Sequence, residues 1–381
     1  MPFSDTALTL PAVLKMRTEK MTDLSTFDAN IPSNPKNGIF GLPFSEEGAR
    51  LVILPVPWEV TVSYGSGTSR SAEHIFDASM QVDLFDLESN NAWKQGIYMR
   101  PADRKVLMKS DYLRKEAELY INYISKGELI QNNNFMSKSL KEINEGSANL
   151  NKWVYEQSIS LLRQDKLVAL LGGDHSVPLG YLKAISEKYT DFGILQIDAH
   201  CDLRKDYEHF DHSHAGIMYN ALNEIPQISR LIQIGVRDYS EEEWNFIYNS
   251  QHRVITYFDK EIKERLYEGQ TWQTIVDEIV NQLPPLVYIS FDIDGLDPKL
   301  CPHTGTPVNG GFEAEQVLYL IKKIIDSGRR LIGFDLDEIA VGETSEDANV
   351  GARILWKLCN MLIASNTLST PSKVAECATT M

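Results

Sequence analysis

Three short segments of the sequence carry the residue types that hold metal ions, and each follows an apolar run. Residues 172–176 read GGDHS, residues 198–202 read DAHCD and residues 290–298 read SFDIDGLDP. A mixture of carboxylate oxygen and imidazole nitrogen suits Mn, Ni, Co or Fe(II) better than thiophilic metals. Two imidazoles and four carboxylates exceed what one structural zinc uses, and they suit two divalent ions that act together in hydrolysis.

The spacing inside these segments has a mechanical reason. Residues i and i+2 at the end of a strand point the same way, so Asp198 and His200 face together, as do Asp292 and Asp294. A lone histidine at a strand end is usually structural, but three such clusters in one chain favour a binuclear site. The candidate ligands are His175, Asp198, His200, Asp202, Asp292 and Asp294.

The elements that precede these clusters must bring them together. From residue 165 onward, strand-like runs alternate with helix-length segments, which predicts a parallel sheet covered by helices on both faces. Ligands of such sheets bind outside the carboxyl ends of the strands. The predicted strands cover residues 50–55, 167–171, 192–197, 231–236, 254–257, 286–291 and 331–336. The predicted helices cover residues 111–126, 138–164, 177–189, 240–250, 271–282, 313–327 and 346–364.

The composition excludes several classes of protein. The chain of 381 residues is 43% hydrophobic, which is enough for a large core, and its net charge of −16 opposes binding to nucleic acid. Its four cysteines are too few and too scattered for a disulfide framework, which predicts a reducing, cytoplasmic location, and the absence of a Cys-x-x-Cys pair argues against a thiolate zinc site. No apolar run reaches the ~18 residues of a membrane-spanning helix, so no membrane partner is expected.

One catalytic domain is expected over residues 49–365. Residues 1–48 are broken by prolines and glycines and are predicted to form an N-terminal arm that packs on the body or on a neighbouring subunit. Residues 81–137 are a partly inserted region, and residues 366–381 are a polar C-terminal tail. The glycine-rich segment 64–68 lacks a phosphate-binding spacing, so a loop beside the site and a plain turn both remain open.

Together the three clusters resemble the metal-binding segments of the arginase/agmatinase (ureohydrolase) family. Residues 304–307 (TGTP), 310–311 (GG) and 333–338 (GFDLDE) resemble later segments of that family. The resemblance implies a three-layer α/β arginase-type fold, with a mostly parallel eight-stranded sheet and helices on both faces. It also implies hydrolysis of a guanidino C–N bond with release of urea, and two divalent ions per chain, Ni²⁺ or Mn²⁺.

The same resemblance assigns the ligands to the two ions. One ion is expected on His175, Asp198, Asp202 and Asp292. The other is expected on Asp198, His200, Asp292 and Asp294, so two aspartates bridge. Asp294 is further expected to hydrogen-bond the attacking hydroxide and to relay its proton to the departing nitrogen.

Three more residues receive roles from the resemblance. His214 matches a proton-shuttling and substrate-binding histidine, with His209 and His212 as competitors for that position. Glu338 is expected to pair with the guanidinium, because carboxylate–guanidinium pairing is bidentate and charge-assisted. Thr306 is expected to hydrogen-bond near Glu338.

The choice of guanidino compound depends on residues around the site. Arg204 stands where arginases carry an asparagine that binds the amino-acid end, which argues against arginine. The length of the chain, the segment around Trp93 and the unusual His303 resemble nickel-dependent guanidine hydrolases. Trp93 and His303 are expected to close the channel for a tail, so free guanidine is the predicted substrate, with urea and ammonia as products.

If loops line a longer pocket instead, agmatine or guanidinobutyrate is the substrate. A metal-dependent amide hydrolase of the deacetylase type and an inactive binding homologue are the alternatives from other classes. The partners expected are a small cationic guanidino substrate and further copies of the chain in a trimer or hexamer. Nickel would add accessory proteins that deliver the metal.

Overall fold

The computed structural model describes residues 24–340, 342 and 344–367, and all strands of this part of the chain join one sheet. The strands are β1 (Leu51–Pro55), β2 (Ile97–Met99), β3 (Leu167–Leu171), β4 (Phe192–Ile197), β5 (Ile228–Ile234), β6 (Val254–Tyr257), β7 (Leu286–Asp292) and β8 (Arg330–Asp337). They lie in the order β2-β1-β3-β8-β7-β4-β5-β6, and every neighbouring pair is parallel. The predicted eight-stranded parallel sheet is confirmed.

Helices cover both faces of this sheet. They are α1 (Ser71–Ser79), α2 (Arg104–Ile124), α3 (Asn134–Leu162), α4 (Leu179–Lys188), α5 (Ile217–Glu224), α6 (Glu241–Asn249), α7 (Asp259–Tyr267), α8 (Trp272–Gln282), α9 (Ala314–Asp326) and α10 (Glu346–Thr367). Side chains along a strand alternate between two cores, as Val168 and Ala169 of β3 do. One core packs under α2, α3 and α4, and the other packs under α8, α9 and α10, which gives the predicted three layers. No helix of the described residues has the length and apolar character to span a membrane.

Four elements were not predicted, namely β2, α1, α5 and α7. The strand β2 has only three residues, and the three helices have eight or nine, so none spans enough of a periodic pattern to stand out. The predicted helix 111–126 begins earlier, at Arg104, because the Asp103 carboxylate caps it by accepting the N–H groups of Lys105 and Val106.

The part of the N-terminal arm that the structure describes, residues 24–48, packs on the body of its own chain. Phe27 contacts Trp93 edge-on with ring centroids 6.0 Å apart, and Phe40 contacts Trp356 of α10 at 4.8 Å. Of the two places expected for the arm, residues 24–48 occupy the body of the chain, and aromatic side chains of this segment are part of the core. Residues 1–23 of the arm and residues 368–381 of the tail lie outside the described residues.

Candidate metal centre and active site

All candidate ligands lie at the carboxyl ends of strands β3, β7 and β4, in the middle of the sheet. Because the strands are parallel, these ends meet on one edge, where the chain leaves the sheet in turns. His175 follows β3, Asp198 and Asp202 follow β4, and Asp292 ends β7. The turn after β3 passes close to another loop, since a Cβ on Gly173 would lie 1.8 Å from the Trp58 carbonyl oxygen. Only glycine fits this position.

The first group of ligands surrounds His175, which is 1% exposed. Its Nδ1 lies 3.0 Å from Asp198 Oδ2, 2.9 Å from Asp202 Oδ2 and 3.3 Å from Asp292 Oδ2. In spite of these distances, Nδ1 makes no hydrogen bond within the described chain. Three carboxylate oxygens around one orphaned nitrogen have the arrangement of ligands about an ion rather than that of a hydrogen-bond network.

The second group of ligands shares a residue with the first. His200 Nδ1 lies 3.1 Å from Asp294 Oδ2 and 3.5 Å from Asp198 Oδ1. Asp198 therefore offers one oxygen to each group, as a bridging ligand must. The structure thus brings together all six residues that the sequence nominated.

Hydrogen bonds from the main chain and from one amide orient the carboxylates. Asp292 Oδ1 accepts the Asp294 N–H at 2.9 Å, and Asp294 Oδ1 accepts the Ala199 N–H at 2.9 Å. Asp198 Oδ2 accepts a hydrogen bond from Gln196 Nε2 at 2.8 Å. In Asp292 and Asp294 the other oxygen is left for the cluster, so these ligands are positioned before any ion binds.

A second layer of polar groups lies behind His175. Its Nε2 is 2.8 Å from the hydroxyl of Ser290, which donates to Asp335 Oδ1 at 2.8 Å. These hydrogen bonds to Ser290 and Asp335 orient the imidazole of His175 so that Nδ1 faces the carboxylates. Asp337 lies beside Asp335, fully buried, and neither of its oxygens has a partner among the described residues. Sequence reasoning assigned no role to Asp335 or Asp337, because a strand end in isolation does not show which side chains lie behind a ligand.

Glu338 follows β8 in a left-handed backbone conformation, with φ of 63°. Its Oε1 accepts the His175 N–H at 2.9 Å, while its Oε2 is buried without a partner in the described chain. Gly305 stands opposite, since a Cβ there would lie 2.8 Å from Oε2. Thr306, the predicted neighbour of Glu338, lines the cavity described next, and no hydrogen bond joins the two within the described part of the chain.

A cavity of about 330 Å³ opens beside the ligands and reaches the surface. His200 and Asp202 form its inner wall, and His214 and Tyr207 form part of its side. Tyr64, from the glycine-rich segment, lies at the exposed rim, so that segment is a loop beside the site. The Gly65 N–H donates to the Gly305 carbonyl oxygen at 2.9 Å, which joins this loop to the wall opposite Glu338.

Of the three histidines considered for proton transfer, His214 lines the cavity. Its N–H is 3.1 Å from the hydroxyl of Thr61, and burial, with His200 and His175 nearby, lowers its pKa to about 3. His209 Nδ1 instead lies 2.9 Å from the Tyr120 hydroxyl, and His212 lies beside Asn220. The role of His214 in proton transfer stays a prediction.

Two residues of the outer cavity wall come from far along the sequence. Glu243 of α6 lies 3.5 Å from Arg204 Nε, and the Arg204 guanidinium also lies over the Tyr207 ring at 5.0 Å. Asp238 lines the same wall and is exposed. Sequence reasoning missed Glu243 and Asp238, because neither lies near a metal-ligand motif.

Comparison with known proteins agrees with this geometry. Residues 49–360 of the chain match the sequence pattern of the arginase family. The chain belongs to the arginase family. It is therefore a hydrolase that acts on guanidino substrates.

The relatives of this arginase-family enzyme include ureohydrolases with different names. It is 28% identical over 296 residues to the N(1)-aminopropylagmatine ureohydrolase of Thermus thermophilus, covering 77% of this chain and 84% of the relative. It is 27% identical over 310 residues to the agmatinase of Bacillus cereus, covering 81% and 90%. The solved agmatine ureohydrolase of Thermoplasma volcanium shares the fold, with a TM-score of 0.61 and 20% identity over 84% of this chain and 90% of that one.

The charges of this ureohydrolase site fit two divalent cations, which its family implies. Burial, followed by the nearby charge of Asp198, raises the pKa of Asp202 to about 7, and burial raises that of Asp335 to about 6. Burial also opposes ionisation of Asp198, but His175 and His200 hold its pKa well below the usual range. So many buried carboxylates need positive charge beside them, and their oxygen and nitrogen donors suit divalent ions.

Two residues expected to close a tail channel in this ureohydrolase do not line the cavity. Trp93 is 3% exposed and packs in the core against Phe27 and Trp356. His303 pairs with the buried Asp347 of α10 at 2.8 Å. The prediction that these side chains fill the space for a tail was wrong, because a sequence insertion does not show which side of the sheet it packs on.

Proposed function

We propose that this ureohydrolase hydrolyses a guanidino compound with a cationic alkylamine tail, of the agmatine type, to urea and the amine. The observation that carries this proposal is the open cavity of about 330 Å³ beside the metal ligands. A guanidinium ion of four heavy atoms needs about 120 Å³, taking ~30 Å³ for each water-sized atom. The remaining space suits a tail, which free guanidine lacks.

The guanidinium end is recognised by Glu338. Its Oε2 is buried and has no partner among the described residues, and a substrate N–H would satisfy it with a charge-assisted hydrogen bond. Its Oε1 is already held by the His175 N–H at 2.9 Å, so the carboxylate is positioned before the substrate arrives. A neutral guanidine-like group would leave the buried charge of Glu338 unpaired, so the site selects cations.

The reacting end lies over the six ligands. His175, Asp198, Asp202 and Asp292 would hold one divalent ion, and Asp198, His200, Asp292 and Asp294 would hold the other. Two bound ions would supply Lewis-acid activation of water and stabilisation of negative charge. Asp294 Oδ2 faces the cluster while Oδ1 is tied to the main chain, so this carboxylate takes a proton from the attacking water and passes it to the leaving nitrogen.

His214 carries protons between the site and the cavity. Its ring packs edge-on against Tyr207 with centroids 6.1 Å apart, and Thr61 lies behind it. Burial lowers the pKa of His214 to about 3, so the resting imidazole is neutral near pH 7. It relays a proton from the cavity to the released amine by taking one up at one ring nitrogen as it gives one up at the other, and the amine leaves as an ammonium ion.

The charge of the outer cavity wall selects the group at the end of the substrate tail. Arg204 is paired with Glu243 and stacked on Tyr207, so Asp238 leaves this wall with one net negative charge. That charge favours an ammonium group over a carboxylate at the end of the tail. Relatives named for agmatine and for N(1)-aminopropylagmatine support the same direction.

A substrate panel tests the proposal. We expect kcat/KM for agmatine and N(1)-aminopropylagmatine to exceed the values for guanidine and 4-guanidinobutyrate by about tenfold or more, a difference of about 1.4 kcal/mol. A higher kcat/KM for guanidine than for every compound with a tail would mean that the cavity does not bind a tail. A higher kcat/KM for 4-guanidinobutyrate than for agmatine would mean that the outer wall favours a carboxylate over an ammonium group, which would contradict the proposal.

A pair of variants isolates the tail. Asp238→Asn should lower the ratio of kcat/KM for agmatine over the uncharged analogue n-butylguanidine by about two- to fivefold, as expected of an exposed charge pair. Glu242→Gln is the matched control, because Glu242 is also exposed but does not line this cavity. An equal change in both variants would assign the effect to the net charge of the protein.

We also propose that the ions are Mn²⁺ or Ni²⁺ and that the enzyme is a homo-oligomer, a trimer or hexamer. The nitrogen and oxygen donors are compatible with both metals. Metal analysis of the protein as purified, with activity after reloading each metal, distinguishes them. Light scattering gives the mass of the assembly, and a monomer would overturn the oligomer proposal.

A further inference from the structure

His303 lies in the loop between Asp294 and Gly305, the residue that faces Glu338 Oε2. It has no role in the proposed reaction. We infer that His303 is a positioning residue, which together with Asp347 holds Glu338 in the conformation that receives the guanidinium. This inference rests on the proposed function of Glu338, and it adds that Asp347 of α10 stabilises the position of Glu338 through His303.

Glu338 needs such a support because its backbone is strained. A residue other than glycine at φ of 63° costs about 1–3 kcal/mol and persists only where the surroundings hold it. On one side the Glu338 N–H donates to the Gly173 carbonyl oxygen at 2.8 Å. On the other side, two residues later, the Ala340 N–H donates to the His303 carbonyl oxygen at 3.0 Å. The main chain of His303 therefore holds the outgoing end of the strained turn.

Asp347 in turn fixes His303. It lies in the first turn of α10 and is 0% exposed, so its carboxylate has a single position. Its Oδ1 accepts the His303 N–H at 3.1 Å, and its Oδ2 is 2.8 Å from His303 Nδ1. Two contacts to one residue fix both its main chain and its ring.

The ring of His303 also holds the chain that follows Glu338. Gly342 packs against it so closely that a Cβ there would lie 2.3 Å from His303 Cε1. The Gly342 N–H is 3.4 Å from Asp347 Oδ2, the oxygen that also binds the ring. Gly305, two residues after His303, forms the wall that faces Glu338 Oε2. The position of His303 thus sets both the carboxylate and the wall opposite it.

The test measures guanidinium binding without a tail. Guanidinium chloride is used as an inhibitor of agmatine hydrolysis at constant ionic strength, with the metal-loaded full-length protein. His303→Leu removes the ring donor at similar size, and we expect the inhibition constant and the KM for agmatine to rise together by about tenfold, the value of one charge-assisted hydrogen bond. The metal content should stay at the wild-type value, because no metal ligand contacts His303 in the described structure.

Two further variants make the result specific. In His303→Asn the side-chain amide replaces Nδ1 as a donor to Asp347, so binding should return to within about threefold of wild type, since one hydrogen bond is regained. His74→Ala is the matched control, because His74 lies exposed on α1.

Each outcome has a separate meaning. Unchanged inhibition and KM in His303→Leu would overturn the inference, as would an Asn variant as impaired as the Leu variant, since the donor would then be irrelevant. A wild-type enzyme that hydrolyses no tailed guanidino compound and binds no guanidinium would overturn the proposed function instead.

Discussion

Replacing Glu338 with glutamine removes the carboxylate that would pair with the guanidinium and leaves the shape of the site intact. The amide oxygen can still accept the His175 N–H that Oε1 accepts at 2.9 Å, so the side chain keeps its position. The amide nitrogen then points where Oε2 lay, at a buried position that has no partner among the described residues. A guanidinium that meets an N–H donor there loses its acceptor.

The loss can be estimated from the contacts. One charge-assisted hydrogen bond and the attraction of a buried charge pair are worth about 2–4 kcal/mol, so kcat/KM should fall about 30- to 800-fold. Burial, with the nearby carboxylates of Asp292 and Asp174, raises the pKa of Glu338 well above its usual value. Because the charge is unfavourable in the free protein, Glu338→Gln should keep or raise the melting temperature while activity falls.

Steady-state kinetics with agmatine and thermal melts of the same preparation check both statements. Asp337→Asn is the comparison variant, since Asp337 is an equally buried carboxylate of the same strand end whose oxygens lie with Asp335 and His175. It should raise the melting temperature without the loss in kcat/KM. A Glu338→Gln enzyme within about tenfold of wild type would refute the pairing, because tenfold corresponds to only 1.4 kcal/mol.

The remaining predictions concern the metal ligands, the proton carrier and pH. Asp198→Asn should lose at least one ion per chain and nearly all turnover, and full activity with two ions bound would contradict its bridging position. His214→Asn should lower kcat by about 10²- to 10⁴-fold with metal content unchanged, whereas His212→Asn should not, and a larger loss in the latter would assign the role to His212. In protein stripped of metal by a chelator, the raised pKa values of Asp202, about 7, and Asp335, about 6, mean that the folded chain keeps protons that the unfolded chain has released. Its melting temperature should therefore fall as pH rises from 5 to about 7, and metal-loaded protein melted at the same pH values should lack this slope.

The prediction of free guanidine as the substrate came from the resemblance to nickel-dependent guanidine hydrolases. It depended on Trp93 and His303 as residues that fill a tail channel. The structure places Trp93 in the core under α10 and His303 against Asp347. Both assignments required knowledge of contacts between segments that lie far apart in sequence, and neither residue type carries that information.

The candidate metal ligands could be identified from the sequence alone. Asp198 and His200 face together because alternation along an extended chain is a local rule, and the parallel strands bring Asp292 and His175 to the same edge without any detail of packing. The fold class follows for the same reason, since alternating apolar runs and helical segments allow few other arrangements. Local geometry and chain order were sufficient for this part of the enzyme.

Only the tertiary structure decided the substrate side of the site. The pairing of Arg204 with Glu243 and the exposure of Asp238 depend on how α6 packs beside the cavity, and the support of Glu338 by His303 depends on the position of α10. These contacts join residues tens of positions apart through loops, whose paths are set by the packing of the whole body rather than by their own residues. The residues for the chemistry of this enzyme can therefore be predicted from its strand ends, whereas its specificity depends on contacts that form only when the chain folds.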